Sequence, residues 1–105
     1  MNIIITARKF KARETLKDYV KDELKSLLKF NDSIISADVI LSFQNSQNSV
    51  KKAEITLHIP GQTLVAAEES DEFTKSVAAA SIKLSRQLKT LKSKKKAGLN
   101  DNRIR

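Results

Sequence analysis

Two stretches of this chain alternate residue by residue, and that pattern constrains the fold more than any other. Ala37, Val39, Leu41 and Phe43 alternate with Asp38, Ile40, Ser42 and Gln44. Ala53, Ile55, Leu57 and Ile59 alternate with Lys52, Glu54, Thr56 and His58. Successive side chains of a strand point to opposite faces, so each stretch reads as a strand with one buried and one wet face. The polar, Asn- and Ser-rich segment from Gln44 to Ser49 between them reads as a surface loop. Pro60-Gly61 marks a turn, and Gln62–Ala67 fits a further strand. The short β-branched run Ile3–Ala7 supplies the first strand.

Between and after these strands the period changes. Leu16, Val20, Leu24 and Leu27 recur at helical spacing, flanked by Tyr19 and Leu28, which predicts one helix over about 14–29. Phe73, Val77, Ala80, Leu84, Leu88 and Leu91 form the stripe of a second helix from about Asp71 to Ser93. Ser70 or Asp71 is placed to cap its start, where Asp71 and Glu72 also suit the positive end of the helix dipole. The order is therefore β-α-β-β-β-α. Neither helix has a second apolar stripe, so both must cover the same face of one sheet. The predicted fold is α+β: a two-layer sandwich with a four-stranded sheet and both helices on one face. Three consecutive strands form an antiparallel meander, and the first joins through a helical crossover. The other sheet face, with Asp38, Ser42, Glu54, Thr56 and His58, should be wet. At 105 residues the chain makes one domain, expected over 1–96. Residues 97–105 have no period and read as a flexible basic tail.

Charge is distributed less evenly than fold requires. Lys83, Arg86, Lys89, Lys92, Lys94, Lys95, Lys96, Arg103 and Arg105 face only one acidic residue in the last segment, Asp101. That segment accounts for the whole net charge of +8. Net charge governs partners rather than fold, and nucleic acid is the first candidate for a surface this basic. Measured from Leu84 at the centre of the buried stripe, Arg86 lies about 160° away, Lys89 about 140°, Lys83 about 100° and Lys92 about 80°. Lys83 and Lys92 occupy opposite flanks. The alternative for this segment is a frayed lysine-rich helix end. The first helix carries a row of Lys17, Lys21, Lys25 and Lys29, beside Asp18 and Asp22 that can pair with Lys21 and Lys25. A salt-bridge-laced solvent face and a phosphate-binding face both fit that row. Aromatic residues for stacking bases are nearly absent, so recognition should be of backbone and shape, as for structured RNA.

Catalytic and metal chemistry find no material. The chain has one His, His58 on the polar side of its strand, and no Cys to share a metal or act as a nucleophile. The cluster Glu68, Glu69, Asp71, Glu72 matches no calcium loop. Two glycines exclude a Gly-rich phosphate loop. No enzyme, cofactor or metal is expected. Ile3–Ile5 run at once into Arg8, Lys9 and Lys11, which does not fit a signal peptide, and no apolar run approaches the roughly 20 residues of a membrane span. The expectation is a cytoplasmic protein without a membrane partner.

Several pieces of the chain, in this element order, resemble the ribosome hibernation promoting factor family, which includes the ribosome-associated inhibitor A. They are Ile5-Thr6, Glu14-x-Leu16-Lys17-x-Tyr19-Val20, Ala66, and above all Lys83-Leu84-x-Arg86-Gln87-Leu88. The resemblance spans about residues 3–96 and implies the fold just derived. It also implies binding to ribosomal RNA of the small ribosomal subunit, in the channel of messenger and transfer RNAs, with translation inhibited. By position, the family's RNA-facing basic residues correspond to Lys83, Arg86, Lys92, Lys94, Lys17 and Lys29. Where the family often has basic residues this chain has Glu23 and Ser26, and Lys21 and Lys25 lie nearby; Thr90 stands for a family lysine, with Lys89 adjacent. Thr74, Ala78 and Ile82 replace an aromatic and two aspartates, leaving Ile82 as an expected exposed apolar residue. Long members append a dimerisation domain, whereas this chain resembles the short type, and the free protein is expected to be a monomer. A double-stranded RNA-binding module is the competing reading. Such modules place lysines at the start of the last helix, where this chain is acidic.

Overall fold

The computed structural model describes residues 1–44 and 49–104, with side chains described through Leu91. Its elements run β1 (Asn2–Ala7), α1 (Glu14–Lys25), a 3-10 segment (Ser26–Lys29), β2 (Ser36–Phe43), β3 (Lys51–Ile59), β4 (Gln62–Ser70) and α2 (Phe73–Ile104). The sheet order is β1-β2-β3-β4. β1 pairs parallel to β2 with Ile5 opposite Val39. β2, β3 and β4 follow as an antiparallel meander, with Val39 opposite Ile55 and Ile55 opposite Ala66. The predicted α+β sandwich is the one observed.

Strand alternation places the core. Ala37, Val39, Leu41, Ala53, Ile55, Leu57, Ile59, Leu64 and Ala66 are all buried on one sheet face. Onto them pack Val20 and Leu24 of α1, Leu27 of the 3-10 segment, and Phe73, Val77, Ala80, Leu84 and Leu88 of α2. Burying each large aliphatic side chain contributes about 1.5–3 kcal/mol. Ser76 is also fully buried on the α2 stripe, where its hydroxyl donates to the carbonyl of Lys51 at 2.6 Å and so ties α2 to β3. On the opposite face Asp38, Ser42, Glu54, Thr56 and His58 are partly exposed, and Ile4 and Val65 are exposed. There His58 Nε2 lies 3.0 Å from the Asp38 carboxylate, across neighbouring strands. The tight turn between β3 and β4 uses Pro60 to fix φ and Gly61 at φ 86°, a combination that favours a type II turn.

Three details differ from the sequence reading. α1 does not continue as an α-helix to residue 29: it tightens into 3-10 winding after Lys25, a frequent way for a helix to end. β4 runs to Ser70, so Ser70 belongs to a strand. Just before α2, Asp71 holds an i,i+4 ion pair with Lys75 of the first turn. Lys75 Nζ sits 3.1 Å from the Asp71 carboxylate, and Ser70 Oγ donates to that carboxylate at 3.1 Å. The Lys75 and Ser70 hydrogen bonds hold the Asp71 carboxyl below the ordinary carboxylate range. Finally, α2 reaches Ile104 rather than ending near Ser93. Lys, Ala and Leu are strong helix formers and no proline stops them, so the helix outlasts its apolar stripe. The side chains of the expected basic tail, 97–105, and the central part of the loop, 45–48, lie outside the described residues.

Although the core is aliphatic, one end of it is closed by aromatic rings. Phe10, from the β1–α1 connection, stacks on Phe73 with centroids 5.0 Å apart. Phe43 meets both rings at angles, 5.0 Å from Phe10 and 5.3 Å from Phe73. Each such pair is worth roughly 0.5–1.5 kcal/mol beyond its buried area.

Candidate nucleic-acid interface

Because α1 and α2 lie side by side on the sheet, their outward faces form one surface. Lys21, Lys25 and Lys29 are exposed on the first, and Lys83, Arg86 and Lys89 on the second. Lys17 is half-buried and lies 3.7 Å from Glu14. The pairing expected of Asp18 and Asp22 with Lys21 and Lys25 does not form: among the described residues, neither lysine has an ion pair. Each reaches outward on its own turn of helix, and a long exposed side chain gains little from being pinned. Lys17 of the same row keeps its contact with Glu14, so the row holds one paired lysine beside unpaired ones. The side chains of Lys92 and Lys94 lie outside the described residues.

The two flanks of α2 differ sharply. On the β4 side, Lys83 Nζ makes a 2.6 Å ion pair with Glu68. Next to it, Gln87 Nε2 donates to the Val65 carbonyl at 3.1 Å, satisfying a backbone acceptor on the outermost strand. By sequence Lys83 is a free cation, because no acid lies near it on its own helix; the acid comes from β4. Arg86 leans to the same side, lining a shallow groove of about 290 Å³ with Leu64, Gln87 and Thr90.

On the α1 side, cations gather instead of being neutralised. Lys89 Nζ lies 5.0 Å from the centroid of the Phe30 ring, and Lys29 Nζ lies 5.2 Å from it. Both distances are within reach of a cation–π attraction. The 3-10 winding explains how Lys29 arrives there. Each of its residues turns about 120° rather than 100°, which swings Lys29 out of the Lys17–Lys21–Lys25 row. Phe30 follows at once, its N–H bonded to the Leu27 carbonyl at 3.0 Å. Phe30 escapes the sequence reading, which finds aromatics nearly absent from this surface. The available signal is its place, directly after an amphipathic stripe and beside a lysine. Ile82 stands 53 % exposed, as its helical angle requires.

Electrostatically, the surface offers cations over a width of two helices, with Glu68 engaging Lys83 and Glu14 beside Lys17. Such a surface suits a polyanion read by its backbone. Among the described residues no group of three or more His, Cys, Asp or Glu is placed to hold a metal ion. No described helix is long and apolar enough to cross a membrane.

Known proteins share both sequence and shape with this chain. It is 32% identical over 97 residues to a ribosome hibernation promoting factor of Pseudomonas putida, covering 92% of each chain. A ribosome hibernation promoting factor of Azotobacter vinelandii is 30% identical over 88 residues, covering 84% of this chain and 79% of the relative. Among solved structures, a ribosomal subunit interface protein from Coxiella burnetii superposes with a TM-score of 0.81 at 25% identity, covering 89% of this chain and 99% of that one. The N-terminal domain of Thermus thermophilus Protein Y superposes with a TM-score of 0.77 at 27% identity, covering 87% and 99%. The family described as Sigma 54 modulation protein / S30EA ribosomal protein matches residues 3–96, from the first strand through the basic stretch of α2. With its fold, its helical cations and this match in agreement, the chain belongs to that family.

Proposed function

We propose that this chain is a ribosome hibernation factor, which binds the small ribosomal subunit in the messenger and transfer RNA channel and inhibits translation under stress. Its face for ribosomal RNA is the paired helical surface. On that face Lys21, Lys25, Lys29, Arg86 and Lys89 are exposed cations with no ion pair among the described residues, Lys83 is engaged by Glu68, and Lys17, Lys92 and Lys94 extend the face at its margins. Residues 1–96 carry the binding and 97–105 add basic charge. The protein acts as a monomer in the cytoplasm, by occupying space and neutralising phosphates rather than by catalysis. One observation carries this reading: Lys29 and Lys89, from two different elements, converge on one ring, and among the described residues neither is in an ion pair. Membership in a family whose relatives are named for ribosome hibernation supplies the partner.

Co-sedimentation tests it. The protein should pellet with purified small subunits and bind a plain RNA duplex more weakly at physiological salt. Replacing Lys83, Arg86, Lys89 and Lys92 with Ala should leave the fold intact. Removal of each cation that touches a phosphate should flatten the slope of log affinity against log salt by about 0.7–0.9. Equal affinity for duplex and subunit points instead to a general double-stranded RNA-binding module. A folded quadruple variant with unchanged binding and unchanged salt slope refutes the helical face.

A further inference from the structure

Where the 3-10 segment ends, an open groove of about 840 Å³ separates it from the β3–β4 turn and from α2. That volume falls in the roughly 300–1,000 Å³ range of small-ligand sites. Its apolar wall comes from Leu28, Ile59, Pro60 and Leu91, and Phe30 contributes to it. Lys29 lines the groove, and Lys89 reaches over the same ring from α2. We propose that this groove holds one unpaired nucleotide of the bound RNA, with its base against Phe30 and its flanking phosphates on Lys29 and Lys89. The assignment rests on the RNA-binding reading above and adds to it a contact that a fully paired helix does not offer.

Three features select this ligand. Two ammonium groups within 5.2 Å and 5.0 Å of one centroid repel each other. Neither is in an ion pair among the described residues, so both ammonium groups are available to an incoming anion. A phosphate relieves that repulsion, and both lysines, exposed at the ends of flexible stems, can leave the ring to reach it. The ring so vacated is a flat apolar platform, on which any nucleobase stacks. Asp32 on the same groove repels a phosphate but accepts hydrogen bonds from a base's amino or imino groups, and Asn31 and Gln62 add amide donors. Charge therefore orients the nucleotide with its phosphates toward the lysines and its base edge toward Asp32. A simple acidic side chain would satisfy the lysines and leave the ring and groove empty.

The natural chain contains no Trp, so a Phe30→Trp variant carries a single indole reporter at the site. It is titrated with an RNA hairpin bearing a one-nucleotide bulge, with the same hairpin fully paired, and with an oligoglutamate peptide. The bulged hairpin should quench the indole and bind about tenfold more tightly than the paired one, as one base–aromatic stack allows. The peptide should leave the fluorescence unchanged. In wild-type background, Phe30→Leu should abolish the preference for the bulge while still binding the paired hairpin. Should Phe30→Leu fail to fold, the indole titration stands alone as the test. Equal affinity for both hairpins without quenching, a preference that survives in a folded Phe30→Leu, or equal quenching by the peptide overturns the assignment. Small-subunit co-sedimentation, run in parallel, separates the two readings. Subunit binding without quenching or preference refutes the nucleotide site alone; bulge preference without subunit binding refutes the ribosomal partner alone.

Discussion

The two flanks of α2 carry similar side chains and have different electrostatic fates. Toward β4, Lys83 is closed off by Glu68 at 2.6 Å, and Gln87 is spent on the Val65 carbonyl. Toward α1, Lys89 meets a second cation, Lys29, across Phe30. One flank fastens the helix to the edge of the sheet; the other leaves two ammonium groups outside any ion pair among the described residues. Availability, not the number of lysines, thus defines a phosphate-binding face. An ammonium already paired must give up its carboxylate before it can take a phosphate. One that faces another ammonium gains from the exchange.

The largest effect should come from breaking the element that keeps the flanks apart. Leu84 is fully buried between them. Leu84→Ala removes its packing and leaves a cavity, costing about 2–5 kcal/mol, a large share of the stability typical of a small domain. Thermal or denaturant unfolding should show that loss, and both flanks should lose function together. A cost below about 1 kcal/mol would mean that α2 is not seated by this stripe.

A charge exchange sharpens the comparison directly. Lys89→Glu should weaken small-subunit binding more than Lys83→Glu does, measured at several salt concentrations. Each reversal adds repulsion, but only the Lys89 change removes a cation that was free. In the milder alanine series, Lys89→Ala should flatten the salt slope by close to the value of one phosphate, about 0.7–0.9, and Lys83→Ala by less. Equal slopes for the two alanine variants would erase the distinction between the flanks.

The smallest effect tests the same idea in reverse. Glu68→Gln should release Lys83 and steepen the salt dependence of RNA binding. Both partners are partly exposed, with side-chain accessibilities of 52% for Lys83 and 30% for Glu68. Solvent screening therefore keeps the stability cost of losing the pair at or below about 1 kcal/mol. Weaker RNA binding by a folded Glu68→Gln would show that Glu68 positions Lys83 for its ligand rather than withholding it.

Much of this molecule is a local property of its chain. Strand alternation at Ala37–Phe43 and Ala53–Ile59 states which side chains are buried, because backbone geometry alone turns successive strand residues to opposite faces. The single stripes of α1 and α2 then require both helices on one face, and the same arithmetic exposes Arg86, Lys89 and Ile82. The concentration of charge in the last helix is likewise readable from the residues. What a side chain meets across elements is not a local property. Glu68 and Lys83 are separated by a strand end, a turn and three turns of helix, and only the placement of α2 along β4 brings them to 2.6 Å. Lys29 leaves its predicted row because a few residues wind as 3-10 rather than α, a choice that backbone periodicity does not announce. That small rotation sets it beside Phe30 and Lys89. Spacing along the chain decides which way a residue faces; packing between elements decides what it finds there.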